Sequence, residues 1–216
     1  MKTLIDQYWK KTPKLFADAY FKISPTSFFL SSRFSKIAPL LKNMQGKKAL
    51  DVGCGNGVFM KPILEQGGEV VGVDYSSEML EQAKIYLREF PEKKYVLKKG
   101  DATKLSFAKN SFHLVLASGL TDYISKKGNR AFLQKTAEIL KKNGIAIITF
   151  PKSESPFALL RSGFGLKLRK LFLHLPPLLS AYSQEEIKEE FQSVGLNIKK
   201  WDSVFGTMWI VVAQKP

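Results

Sequence analysis

The segment Asp51-Val52-Gly53-Cys54-Gly55-Asn56-Gly57 sets a carboxylate and three alternating glycines directly after the apolar pair Ala49-Leu50. A strand ending in such a loop can bring backbone N–H groups against a ligand, because glycine has no Cβ to block the approach. Asp51, two positions ahead of the first glycine, would repel a pyrophosphate and attract a cationic or ammonium-bearing ligand. Asp74 follows 17 residues beyond Gly57, at the end of the run EVVGVD. A carboxylate there can accept hydrogen bonds from two vicinal hydroxyls, such as those of a ribose. In Gly100-Asp101-Ala102, Asp101 can accept from a purine amino group while a neighbouring backbone N–H meets a ring nitrogen. Ser118-Gly119-Leu120 forms a fourth loop toward the same crevice.

These residues need a scaffold that brings the ends of several strands together. From Lys48 onward, short apolar runs alternate with helical periodicity. The expected strands are Ala49–Val52, Glu69–Asp74, Tyr95–Leu97, Phe112–Ala117 and Ile145–Phe150, with helices near 60–66, 77–90 and 129–141. Such repeated units imply a parallel sheet with helices on both faces. Ligands of open α/β sheets bind at the carboxyl ends of the strands, where all four loops fall. Ser183 with Glu186 reads as a capping box, and Gly195 closes the helix it opens. Asn197–Val204 and Thr207–Gln214 are separated only by Phe205-Gly206, so they must pair antiparallel. Ser24-Pro25 reads as a helix start, with the helix running to about Leu41. The expected architecture is an α/β three-layer sandwich with a Rossmann-like, seven-stranded mixed sheet and an antiparallel C-terminal hairpin.

At this point the chain resembles the class I S-adenosylmethionine-dependent methyltransferases, most of all the group holding the ubiquinone/menaquinone and magnesium-protoporphyrin enzymes. The residues that carry the resemblance are Asp51 to Gly57, Val71-Gly72-Val73-Asp74-Tyr75-Ser76 with Met79-Leu80, Gly100-Asp101-Ala102, Leu114-Val115-Leu116, and Asn143 to Ile148. The stretch from Tyr182-Ser183 to the terminal hairpin matches more loosely. The resemblance implies S-adenosylmethionine as cofactor and S-adenosylhomocysteine as product. It implies that Gly53 and Gly55 approach the methionine part, with Asp51 beneath the loop near the amino group. Asp74 would hold the ribose, Asp101 and Ala102 the adenine, and Ser118 part of the methionine moiety. Cys54, Gly57, Tyr75 and Met79 complete the expected cofactor set, Met79 as a wall of the pocket or the core. His113 stands where the family often has Asp, at the start of a strand and far from the cofactor end.

Methyl transfer needs positioning above all, since the donor is already activated. An oxygen or carbon nucleophile also benefits from a base. Asp122 and Tyr123, after the fourth strand, and His174, in the segment 151–182, are the candidates. Cys54 reads as a small loop residue rather than a nucleophile. No Asn/Asp-Pro-Pro-aromatic run follows the fourth strand, and no second cysteine is present, which argues against the commonest base-methylating mechanisms. A nicotinamide dehydrogenase is disfavoured because its third glycine position is occupied by Val58. No metal site is expected.

The formal net charge of +15 is uneven, with residues 1–49 holding ten Lys/Arg against two acidic residues. Such a surface can attract anionic lipid, an acidic small molecule or, as the weaker alternative, RNA. Residues 1–44 read as an N-terminal helical cap on a methyltransferase domain spanning 45–216. Within that domain 151–182 reads as a basic amphipathic insertion on the substrate side: Phe164, Leu168, Leu171 and Leu175 share one face and Lys167, Lys170 and His174 another. The absence of a signal-like start and of long apolar runs makes a cytoplasmic protein, peripheral at a membrane at most, the expectation. The expected acceptor is a small lipophilic or anionic molecule, with a cofactor-binding module lacking transfer activity as the non-enzymatic alternative.

Overall fold

The computed structural model describes residues 25–155 and 179–216. Residues 1–24 of the expected cap, and 156–178 of the expected insertion, with Phe164, Leu168, Leu171, Leu175 and His174, lie outside the described residues.

The strands are β1 (Lys48–Val52), β2 (Glu69–Asp74), β3 (Tyr95–Lys99), β4 (Phe112–Ala117), β5 (Leu140–Pro151), β6 (Asn197–Val204) and β7 (Met208–Gln214). They form a seven-stranded sheet of order β3-β2-β1-β4-β5-β7-β6. β1 pairs parallel with both β2 and β4, whereas β7 runs antiparallel to β5 and β6. The chain moves outward from β1 to β3, then crosses back to β4 on the other side of β1. The strand order therefore reverses between β1 and β4, and the crevice that binds ligands in such sheets opens there.

Two apolar clusters cover the two faces. On one, Leu50, Val52, Val115, Ala117, Ile148 and Phe150 pack beneath α4 (Lys126–Ile139) and α5 (Gln184–Ser193), which contribute Phe132, Leu133, Ile187 and Phe191. On the other, Ala49, Val70, Leu114, Leu116 and Ile147 meet α1 (Pro25–Ile37) and α2 (Met60–Glu65) through Ile37, Met60 and Ile63. Alternate residues of β1, β4 and β5 go to opposite faces, which is why these strands read as continuous apolar runs. The α3 helix (Ser77–Tyr86) starts at Ser76, whose hydroxyl accepts the Met79 N–H at 3.1 Å. The expected capping box is present: Ser183 Oγ accepts the Glu186 N–H, and the Glu186 carboxylate accepts the Ser183 N–H at 2.9 Å.

The structure corrects the bounds of three expected helices. The helix expected over 129–141 is α4, which begins at Lys126 because the Ser125 hydroxyl accepts the Gly128 N–H. It gives way to β5 already at Leu140, which pairs with Phe112. Asn143, at φ 62°, is a left-handed residue inside that strand rather than a helix terminator; its N–H bonds Lys215 O. The first helix stops at Ile37 and continues as a short 3-10 turn, Ala38–Leu40, because Pro39 has no N–H to extend the α pattern. Finally, α3 ends at Tyr86, before the expected Phe90.

The terminal hairpin turns through Phe205 and Gly206, both at positive φ, and closes with Thr207 N–H on Val204 O at 2.9 Å. Met208 pairs with Pro151, the last residue of β5, so the hairpin tip lies at the carboxyl edge of the parallel strands. No described helix is long and apolar enough to cross a membrane.

Candidate active site

The glycine loop is built from the backbone outward. Gly53 N–H donates to Val73 O at 2.7 Å, and Gly55 N–H to Asp74 Oδ2 at 2.8 Å. The other oxygen of Asp74 accepts the Ser76 N–H at 2.9 Å. One half-buried carboxylate thus clamps the loop after β1 to the turn after β2. Burial pushes its pKa up, against the pull of the Ser76, Gly55 and Tyr75 N–H groups. Three N–H groups lean on this carboxylate, and of its roughly four acceptor sites about one is left for a ligand hydroxyl. Tyr75, beside it, is exposed.

The three glycines have different neighbours. A Cβ on Gly53 would press against Leu120, and one on Gly55 against Met79 Cε, both at 3.1 Å and both at positive φ. Gly57 instead faces Leu87 and Ala83 beside α3. It lets helix and loop approach each other, which places it in the scaffold rather than against the expected methionine moiety. Met79 is buried against the loop. Cys54 is also buried; burial first, then Asp74 and Asp51, push its thiol well above its ordinary value, so it is no thiolate nucleophile.

Asp51 lies beneath the loop at 2 % exposure, and burial, with the Asp74 charge adding, pushes its pKa up to about 8. The charge of Arg33 opposes that rise. Asp51 Oδ2 is buried and has no hydrogen-bond partner among the described residues. Arg33, itself buried, reaches the far side of the crevice, where a Cβ at Gly119 would collide with its guanidinium. A buried carboxyl with an open acceptor and a buried guanidinium thus stand around one loop. Once Asp51 is ionised, the two suit the ends of a zwitterion, an ammonium toward Asp51 and a carboxylate toward Arg33.

The loop after β4 is held by β5: Gly119 N–H donates to Thr149 Oγ1 at 2.8 Å and Thr121 Oγ1 to Thr149 O at 2.6 Å. Ser118 Oγ is buried with no hydrogen-bond partner among the described residues. Asp101 caps the 3-10 turn Ala102–Lys104, its Oδ1 accepting the Thr103 N–H at 2.9 Å and hydroxyl at 2.7 Å. Ala102 is buried in the core cluster. Asp122 is buried on the 3-10 turn Thr121–Tyr123, and Tyr123 ends that turn. The same turn is stapled to the segment after 178: Leu179 N–H donates to Asp122 O at 2.7 Å and Ser180 Oγ to Thr121 O at 2.7 Å. The Asn129 amide donates to Thr121 O at 3.0 Å and lies 2.9 Å from the Tyr182 hydroxyl.

The structure therefore gathers Asp51, Gly53, Gly55, Asp74 and Ser118 around one crevice, with Asp101 on the turn after β3 and Asp122 and Tyr123 after β4. His113 stays a strand residue, its Nδ1 accepting the Lys48 N–H at 3.0 Å, away from the loops. Among the described residues no cluster of His, Cys, Asp or Glu could hold a metal ion. Arg33 was missed by sequence reasoning. Its signal was present: Leu30, Arg33 and Ile37 share one helical stripe, and all three are buried. A cation in the buried stripe of a helix needs an anionic partner.

Comparison with known proteins agrees with this arrangement. Residues 49–144 match a family model described as a methyltransferase domain. The chain is 30 % identical over 143 residues to a ubiquinone biosynthesis O-methyltransferase of Azorhizobium caulinodans, covering 66 % of this chain and 55 % of that protein. A protein of the same name from Pelagibacter ubique is 32 % identical over 116 residues, covering 52 % and 45 %. The chain thus spans about half the length of the curated relatives it matches. Among solved structures, magnesium protoporphyrin IX methyltransferase from Synechocystis PCC 6803 with bound SAH superposes with a TM-score of 0.78 at 16 % identity, covering both chains fully. The strand order, the clamped glycine loop and these matches agree: residues 49–144 are similar to a methyltransferase domain, and the fold is that of the class I S-adenosylmethionine-dependent methyltransferases.

Proposed function

We propose that the chain transfers a methyl group from S-adenosylmethionine to an oxygen or carbon of a small lipophilic or anionic acceptor, leaving S-adenosylhomocysteine. The observation that carries this reading is the placement of Asp51 and Arg33 about the loop that Asp74 clamps. Those residues fit the cofactor on chemical grounds. Asp51 offers an open buried acceptor to an ammonium and Arg33 a guanidinium to a carboxylate. Asp74 offers acceptor capacity to a ribose hydroxyl, and Asp101 to the adenine amino group. Ser118 contributes a hydroxyl at the methionine end. The cofactor supplies an electrophilic methyl on a sulfonium, so the protein's work is orientation and exclusion of water. Asp122 and Tyr123, on the turn after Leu120, are the described candidates to take the acceptor's proton, and His174 the third. The name shared by the curated relatives supports an oxygen acceptor.

Isothermal calorimetry tests the reading. S-adenosylmethionine should bind and NAD should not; NAD binding without S-adenosylmethionine binding would sink it. Arg33→Met keeps the apolar stem but removes the charge, and should weaken S-adenosylmethionine binding about tenfold to a hundredfold, the worth of a charge-assisted hydrogen bond. An affinity equal to wild type would remove Arg33 from the site.

A further inference from the structure

Phe205 stands at φ 47° in the β6–β7 turn and is 48 % exposed. A bulky side chain at positive φ is a steric outlier, and two-residue hairpins of this kind prefer Asn-Gly or Asp-Gly. Strain of this sort persists where something besides stability is served. Phe205 is also stacked on Phe28, at the start of α1, with ring centroids 5.1 Å apart and an interplanar angle of 20°. Phe28 is 65 % exposed. Phe29 lies behind the pair, 6.5 Å from the Phe205 centroid. Two stacked aromatic rings, one on the strained turn and one on α1, are thus exposed side by side.

The size of this projection decides what it fits. Two phenyl rings offer at most about 500 Å² between them. A specific protein interface buries about 800 Å² on each partner. A compact aromatic tip is better matched to the interfacial zone of a bilayer, where amphipathic proteins seat aromatic side chains. The formal net charge of +15 complements an anionic surface. Lys36 and Asp202 pair at 2.7 Å and bridge α1 to β6.

Location gives the projection a consequence. Thr207 O accepts the Lys152 N–H at 2.9 Å, just past the end of β5. The tip therefore stands on the same edge of the sheet as the loops after β1, β2 and β4. We propose that the Phe28–Phe205 pair is an interfacial anchor for an anionic lipid bilayer, turning the carboxyl edge of the sheet toward the membrane. A protein held this way meets acceptors dissolved in the bilayer. The anchor itself does not depend on the methyl-transfer reading.

Co-sedimentation of the full chain with vesicles tests it. Vesicles of phosphatidylcholine and phosphatidylglycerol in equal parts should bind the protein, and phosphatidylcholine alone more weakly. Phe205→Asn relieves the strained turn, so it should keep or raise Tm while lowering the partition coefficient about tenfold, from the half-burial of one ring. Phe28→Ser should lower it similarly, and Phe205→Trp should retain it. Wild-type binding to the mixed vesicles by both Phe205→Asn and Phe28→Ser overturns the anchor. So does a wild-type dimer in solution that Phe205→Asn dissolves, which would make the tip a contact between copies. S-adenosylmethionine affinity, measured separately, should be unchanged in these variants, so the anchor and the methyl-transfer reading fail independently.

Discussion

Asp74→Ala is expected to weaken S-adenosylmethionine binding about a hundredfold. That magnitude follows from one hydrogen bond to a charged acceptor, which contributes about 1.5–3 kcal/mol. The same substitution removes the clamp on the loop, because Gly55 and Ser76 N–H lose their acceptor. Each orphaned N–H costs about 1–3 kcal/mol if it stays buried. Binding and folding are therefore both read, by calorimetry and by thermal melting. Asp74→Asn separates them: its one remaining carbonyl can still hold one of the two N–H groups, so Tm should recover in part. It loses the negative acceptor, so cofactor affinity should stay low. An alanine variant that melts lower but binds S-adenosylmethionine as tightly as wild type would refute the ribose assignment and leave Asp74 a structural clamp.

The second large effect is at Asp51 and concerns pH. Its carboxyl is pushed from the ordinary 3.8 up to about 8 by burial, with Asp74 adding and Arg33 opposing. In the native state it keeps a proton that the unfolded chain has already released. Its contribution to stability is therefore fully present below about pH 4 and is lost as pH rises through about 8. Across that window the ceiling is roughly 6 kcal/mol, at about 1.4 kcal/mol for each pH unit. Asp51→Asn cannot titrate, so its melting temperature should fall less than that of wild type between about pH 5 and pH 8. At the upper end the variant should be the more stable protein. The same change should lower S-adenosylmethionine affinity, since an amide cannot pair with an ammonium as a carboxylate can. In wild type, binding should release a proton below about pH 8, which calorimetry in buffers of different ionisation enthalpy detects. Parallel pH–Tm curves for the two proteins would contradict the raised value.

Asp51 and Asp74 are legible in the amino-acid sequence because their chemistry is local. Each closes an apolar run at a strand end, and period-two burial needs only a few neighbouring residues to show itself. The capping box at Ser183 and Glu186 and the hairpin around Phe205-Gly206 are legible for the same reason. The start of α4 is not. Gly128 reads as a helix breaker, yet the Ser125 cap outweighs it, and its missing Cβ accommodates Ile124 and Thr103. The length of β5 is hidden because Asn143-Gly144 resembles a helix stop, whereas pairing with Phe112 and the Asn143 bond to Lys215 continue the strand.

The sequence by itself determined the sheet, the glycine loop, the carboxylates that end β1 and β2 and the turn-borne Asp101, because hydrogen-bonding caps and alternating burial are dictated by neighbours along the chain. Only the tertiary structure decided that Arg33, on a helix that precedes β1, reaches Gly119 and makes its charge felt at Asp51. It alone showed that Asp51 is buried deeply enough to hold a proton near neutral pH, and that Gly57 faces α3. The stack of Phe28 on Phe205 joins residues more than 170 positions apart. These are properties of burial and packing, whose energies depend on which distant atoms exclude water, and no short-range pattern encodes that.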